Sequence, residues 1–233
     1  MSNESDEEFF KLWMSAFQES MEKARQRTSS FEYEMQQHLY KDFASKYDKA
    51  ISLESYSGPS KIAEKINDLV FDKNIKILDY GCGTGLVSEY LIKFGFSEID
   101  GVDANQEMLN LAKAKGTMNK LILGRNDEGL KKISSNEYDI VCSAGTFFLS
   151  ATHPGTECFR EICRTIKSGG YFILLTKQSY LSCSYVNWSI VEELEKEHVL
   201  EIVSKEPYEG YRKHFPNEQD TQSTGIIFTF RVL

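Results

Sequence analysis

Residues Ile77-Leu-Asp-Tyr-Gly-Cys-Gly-Thr-Gly85 decide the fold of this chain. The apolar run that begins at Ile75 reads as a short strand ending at Asp79. Three alternate glycines, Gly81, Gly83 and Gly85, follow it. Helical spacing then runs from Leu86 to Phe94 and stops at Gly95. Glycine permits unusual backbone angles and lets a ligand approach the main chain closely. A helix start presents unpaired N–H groups to an anionic group such as a carboxylate. Asp79, at the strand end, can receive an amine, directly or through water. A tight strand–helix turn with no ligand is the alternative reading of the same glycines.

Outward from this turn, strands and helices alternate. Ile99 to Val102, Leu121 to Leu123, Asp139 to Ser143 and Tyr171 to Thr176 read as strands. Asn105 caps a helix carrying Met108, Leu109 and Ala112 that ends at Gly116. A helix with Phe159, Ile162, Cys163 and Ile166 inward is expected to end at Gly169-Gly170. Val186 to His198 is expected as a helix, and Leu200 to Ser204 and Ile226 to Val232 as the last strands. Upstream, residues 7 to 27 have helical spacing, as do Met35, Leu39, Phe43 and Tyr47. Pro59 suits the first turn of a helix facing Ile62, Ile66, Leu69 and Val70 inward. This order predicts a doubly wound, Rossmann-like α/β fold: a seven-stranded, mostly parallel sheet with helices on both faces and a helical N-terminal extension. Residues 1–58 are expected to form that extension or a lid, and residues 59–233 the ligand-binding domain. Ligands of such sheets sit beyond the carboxyl ends of the strands, where strand order reverses.

Composition narrows the function. The 233 residues carry 35 acids against 27 bases, a formal charge of −8, which argues against a general nucleic-acid binder and an anionic membrane surface. The five cysteines are odd in number and form no Cys-x-x-Cys pair, so neither a disulfide framework nor a metal site is expected. No apolar run approaches the roughly 20 residues that cross a bilayer. Glu4, Asp6, Glu7 and Glu8 stand where a signal peptide needs positive charge. A cytoplasmic location, or a nuclear one, is the simplest expectation.

The second half of the signal is Ile99-Asp-Gly-Val-Asp103, whose last acid lies 20 residues after Gly83. That distance brings a carboxylate at the neighbouring strand end to a ribose, although a helix-capping acid is the alternative for Asp103 taken alone. The dinucleotide fingerprint Gly-x-Gly-x-x-Gly is not met, because Leu86 stands at its third glycine and Gly85 falls one residue early.

The run Asp-x-Gly-x-Gly-x-Gly resembles motif I of the class I S-adenosylmethionine-dependent methyltransferases. The resemblance extends to Gly101-Val-Asp103-Ala-Asn, Tyr138-Asp-Ile-Val141 and Lys167-Ser-Gly-Gly-Tyr171, over roughly residues 47 to 232. Within that superfamily, Tyr47-Asp48-Lys49, Leu53, Tyr56, Pro59, Gly83-Thr-Gly-Leu-Val87 and Gly101-Val-Asp103 resemble the Williams–Beuren-region methyltransferase-like family. It implies S-adenosylmethionine as cofactor and S-adenosylhomocysteine as product. By the same resemblance, Gly81 and Gly83 approach the methionine part and Asp79 its amino group, with Gly85 also among the cofactor-binding residues. Asp103 takes the ribose, and Ala104 and Met108 line the adenine site. Asn126, or its neighbour Arg125, contacts adenine, while Ala144 and Gly145 lie near the transferring methyl.

Methyl transfer to an N or O nucleophile on a small molecule is the function expected. The fourth-strand motif Cys142-Ser-Ala-Gly-Thr146 lacks the Asn/Asp-Pro-Pro-Tyr/Phe element of amide- and adenine-nitrogen transfer, and its small residues suit a compact acceptor. A protein side chain is the second acceptor class. A non-catalytic cofactor-binding interaction protein and a nicotinamide oxidoreductase are the alternatives, and Leu86 argues against the latter. Three residues are candidates for catalysis. His153 is either a general base or a surface-loop histidine. Tyr47 and Tyr56 either close over the cofactor or pack between helices. The sequence leaves the acceptor and the oligomeric state open.

Overall fold

The computed structural model describes residues 44–52, 55–147, 153–182, 187–212 and 223–233, with Glu8 and Ser15 as isolated helical positions. The expected helix over residues 7 to 27 and the start of the next one lie outside the described residues. Residues 44–52 are helical.

Seven strands form one sheet: β1 (Ile77–Tyr80), β2 (Ile99–Asp103), β3 (Lys120–Leu123), β4 (Tyr138–Ala144), β5 (Ile166–Lys177), β6 (Leu200–Arg212) and β7 (Ser223–Val232), in the order β3-β2-β1-β4-β5-β7-β6. The pairs among β1 to β5 are parallel, and β7 is antiparallel to both of its neighbours. This is the expected Rossmann-like doubly wound architecture. β1 is buried along its whole length, as a central strand covered on both faces must be. Ile77 lies opposite Ile99 of β2 and Ile140 of β4. The order therefore reverses between β1 and β4, and the crevice of such sheets opens above their carboxyl ends.

Six labelled helices cover the sheet: α1 (Gly58–Leu69), α2 (Leu86–Lys93), α3 (Gln106–Lys115), α4 (Asp127–Leu130), α5 (Phe159–Thr165) and α6 (Ser189–Lys196). On one face, Ile62 and Ile66 of α1 and Val87 and Leu91 of α2 pack on Ile77, Ile99, Ile140 and Ile173. On the other, Phe159 and Ile162 of α5 and Val191 and Leu194 of α6 pack on Leu78, Val141, Phe172 and Phe230. Phe159 is the hub of the second layer, edge-on to Phe147, Phe172, Trp188 and Phe230 with ring centroids 5.2–6.3 Å away. Burial of each such ring contributes about 1.5–3 kcal/mol. Pro59 sits in the first turn of α1 as expected, and the side chain of Asn105 caps α3 by accepting from Glu107 N–H and Met108 N–H.

The structure differs from expectation in three places. The helix carrying Phe159 ends at Thr165, because Ile166 is already extended and pairs with Tyr138. Gly169 and Gly170 thus lie inside β5. Gly169 takes φ +81°, and a Cβ on Gly170 would stand 2.5 Å from the carbonyl oxygen of Asp139. These glycines bend a strand beside a register shift in its pairing with β4; they do not cap a helix. β6 runs on to Arg212, through Pro207 and Gly210, residues that read as strand breakers. As an edge strand it tolerates both. The helix expected over residues 186–198 is seen as the shorter α6, and Val186 lies outside the described residues. Among the described residues no helix is long and apolar enough to cross a membrane.

Candidate functional site

The turn after β1 is folded back on β2: the N–H groups of Gly81 and Cys82 both donate to the carbonyl of Val102, at 2.8 and 3.0 Å. Gly81, Gly83 and Gly85 take φ of +76°, +53° and +83°. The first two glycines serve different ends. A Cβ on Gly81 would stand 2.1 Å from Oγ1 of Thr146, which itself donates to the carbonyls of Tyr80 (3.2 Å) and Gly81 (3.3 Å). A Cβ on Gly83 would meet nothing within 4 Å and would project into open space. Gly81 is bare because protein fills the place of its side chain; the space over Gly83 is left clear.

That space belongs to an open cleft of about 740 Å³, counting its mouth, above the switch point between β1 and β4. Of the residues expected in a site, the cleft wall brings together Gly81, Gly83, Asp103, Ala104, Met108 and Asn126, with Tyr47, Ala144 and His153 from outside the β1–β3 unit. Asp79, Gly85 and Tyr56 do not line it. Gly85 begins α2. The hydroxyl of Tyr56 lies behind the wall, 2.7 Å from where a Cβ on Gly145 would be, with its ring edge-on to Tyr211 at 5.1 Å.

Asp103 accepts from Gly83 N–H through Oδ2 and from Asn105 N–H through Oδ1, both at 2.8 Å. Burial raises its pKa, and the backbone donors Asn105, Gly83 and Ala104 oppose that rise. Its carboxylate is fixed in place by the glycine turn, and each oxygen keeps capacity to accept from a ligand hydroxyl.

Asp79 is 1% exposed and its Oδ2 has no hydrogen-bond partner. Burial, with the Asp103 carboxylate adding to it, pushes its pKa up to about 8. In the ligand-free protein this acid is therefore largely protonated at neutral pH, and a cationic group brought beside it would restore its charge.

Tyr47 reaches the cleft from the helical residues 44–52. That segment is pinned by Asp48, whose Oδ1 accepts from the Thr84 hydroxyl of the glycine turn. Its Oδ2 pairs with Lys115 Nζ at 2.6 Å, and the same ammonium reaches Glu89 at 3.0 Å. Opposite, burial pushes the His153 imidazole down to about 4, so the ring is neutral at physiological pH.

Sequence reasoning missed Tyr80, Thr146, Gly124 and Pro154 in the wall, and the Asp48 anchor. Gly124 carried a readable signal, since a Cβ there would stand 2.3 Å from the backbone nitrogen of Gly129. A glycine just after a strand marks such close approach. Tyr80 and Thr146 carried none, because an aromatic beside a strand end and a threonine after a glycine suit many cores.

Comparison with known proteins agrees with this geometry. Residues 78–174 match the family model described as "Methyltransferase domain". The chain is similar to a malonyl-[acyl-carrier protein] O-methyltransferase of Priestia megaterium, 26% identical over 140 residues, covering 59% of this chain and 49% of the relative. It is similar to a mitochondrial ubiquinone biosynthesis O-methyltransferase of Candida albicans, 29% identical over 144 residues, 59% of this chain and 41% of the relative. The chain spans about half the length of the curated relatives it matches. Among solved structures, a TehB-like SAM-dependent methyltransferase from Corynebacterium glutamicum superposes with a TM-score of 0.54 at 16% identity, over 82% of this chain and 99% of that one. At that identity the likeness shows the fold alone.

Proposed function

We propose, from the premise that residues 78–174 are a methyltransferase domain set in the class I fold, that this chain transfers a methyl group from S-adenosylmethionine to an N or O nucleophile on a small molecule. The observation that carries the reading is the clear space over Gly83 beside the fixed carboxylate of Asp103. A backbone free of side chains next to an acceptor of two hydroxyls suits a charged nucleoside. The cofactor supplies a methyl already activated by a positively charged sulfur, so the protein's task is to align donor and acceptor and keep water out.

In this reading Asp103 receives the ribose hydroxyls. Ala104 and Met108 flank the adenine, and Asn126 offers its amide to the base edge. Gly81, Gly83 and Gly85 shape the turn around the methionine part, and Asp79 stands behind it as the anionic counterpart of the amino group. Ala144, Gly145 and Thr146 lie at the methyl end, where small side chains leave room for a compact acceptor. Neutral His153, in the cleft wall, is the candidate base for the proton of an incoming hydroxyl or amine. Tyr47 brings the helical residues 44–52 to the cleft wall as a lid element, and Tyr56 supports that wall from behind Gly145. Three relatives are named O-methyltransferases and one an N-methyltransferase, in keeping with an N or O acceptor.

Calorimetry with S-adenosylmethionine, S-adenosylhomocysteine and NAD tests the cofactor. Binding of the first two alone is expected. Asp103→Ala is expected to weaken that binding by roughly 2–3 kcal/mol, the loss of one to two charge-assisted hydrogen bonds. Unchanged affinity would remove the ribose assignment.

With an acceptor that turns over, kcat/KM should show an acid limb near about 4, since a base with a lowered pKa works down to that pH. The limb should vanish in His153→Ala. A profile identical in the two proteins would discard His153 as the base.

A further inference from the structure

Tyr80 closes the fold-deciding strand, yet it acts on the loop after β3. It is 3% exposed, its ring packs on Phe147 at 5.9 Å between centroids, and its hydroxyl donates to the backbone carbonyl of Asn126 at 3.0 Å. Burial holds the Tyr80 hydroxyl far above the ordinary pKa of a phenol, so it remains a donor throughout the working pH range.

The residue it holds is in an uncommon state. Asn126 adopts φ +48° and ψ −119°, a conformation that side-chain-bearing residues take only where surroundings impose it. Asn126 is part of the cleft wall, and its Oδ1 is buried without a hydrogen-bond partner. Two conditions of a recognition residue are met together: an unspent polar group at a ligand cavity, and a backbone kept in an unfavoured shape by a dedicated hydrogen bond from another strand. An asparagine amide offers an acceptor and a donor side by side. In the flip that presents Oδ1 to the 6-amino group and Nδ2 to the adjacent ring nitrogen, that pair matches adenine; a 6-oxo purine, with donor and acceptor exchanged at that edge, needs the opposite flip.

We propose that Tyr80 is a positioning residue for base selection: by fixing the carbonyl of Asn126 it aims that residue's amide at the purine edge, so the cleft prefers 6-amino over 6-oxo purine nucleosides. This inference rests on the reading of the cleft as a site for S-adenosylmethionine.

The test is calorimetry on the full chain with S-adenosylhomocysteine and its 6-oxo counterpart, S-inosylhomocysteine. The wild-type protein is expected to prefer the adenosyl ligand by about 30-fold, within the range of one well-placed amide–base pair. Tyr80→Phe keeps the ring and its packing. It should shrink the ratio to about threefold or less, mainly by weakening the adenosyl ligand. Asn126→Ala should collapse the ratio likewise, and adding Tyr80→Phe to it should change nothing further, because both act through one contact. A Tyr80→Phe protein that loses affinity for both ligands equally, or keeps the wild-type ratio, overturns the proposal and leaves the cofactor reading standing. If neither ligand binds the wild-type protein, the cofactor reading falls and the proposal falls with it.

Discussion

Asp79→Asn is expected to make the ligand-free protein more stable, by an amount that grows with pH. The carboxyl is 1% exposed, carries an unpartnered Oδ2, and titrates at about 8 in the folded state. In the unfolded chain it titrates near the ordinary value of about 3.9. The folded state therefore holds a proton that the unfolded state has released between those two values. Where the native state binds more protons, stability falls as pH rises, here on the order of 1.4 kcal/mol per pH unit from about 4 to about 8, and levels off above. Asparagine has nearly the same shape and no proton to lose, so the variant lacks this slope. The thiols of Cys82 and Cys142 beside Asp79 are pushed well up by burial and stay neutral, so they do not blur the comparison. Denaturant unfolding of both proteins at about pH 5, 7 and 9 reads the difference directly. Parallel stability profiles would refute it.

The same substitution should damage binding. If Asp79 receives the amino group of the cofactor, binding requires its ionised form and expels a proton. Affinity of the wild-type protein should then rise with pH towards about 8, until the ligand's own ammonium begins to lose its proton. Asp79→Asn should bind more weakly and lose that dependence. One buried acid would thus be retained at a cost to the resting fold for the sake of its ligand.

Gly83→Ala and Gly81→Ala should separate two kinds of damage. At Gly83 the added methyl meets no protein atom, so the fold pays only for a left-handed alanine, about 1–2 kcal/mol. The methyl occupies the space proposed for the cofactor, and affinity for S-adenosylhomocysteine should fall on the order of 1000-fold or more, above about 4 kcal/mol. At Gly81 the methyl collides with Thr146 at 2.1 Å in addition to the backbone strain. Loss of stability should dominate there, together about 2–5 kcal/mol. Thermal melts beside calorimetry distinguish them. A Gly83→Ala protein that binds normally would place the ligand elsewhere.

Much of this was legible in the sequence because it is local chemistry. The strand before the glycine turn, the turn itself, the Asn105 cap and the stop at Gly116 each depend on a few adjacent residues, and each is found, the strand running Ile77–Tyr80 where Ile75–Asp79 was expected. Asp103 was legible because one strand–helix–strand repeat carries it a fixed distance to the neighbouring strand end. What could not be read depends on pairing between distant segments. Pro207 and Gly210 look like the end of a strand until β7 is laid beside β6 and leaves β6 at the sheet edge. Gly169 and Gly170 look like a helix stop until the approach of Asp139 is known. Tyr80 and Thr146 became visible only when β1, β4 and the loop after β3 stood together.

Asp48 ties a segment before the sheet to the turn at its heart, through Thr84 on one oxygen and Lys115 on the other. A trimmed version beginning at Gly58, the first residue of α1, would keep the sheet and the helices that cover it, yet surrender one bank of the crevice and the tether that holds it there. Whoever shortens this protein for convenience should find a well-folded product with an eroded appetite for its ligand.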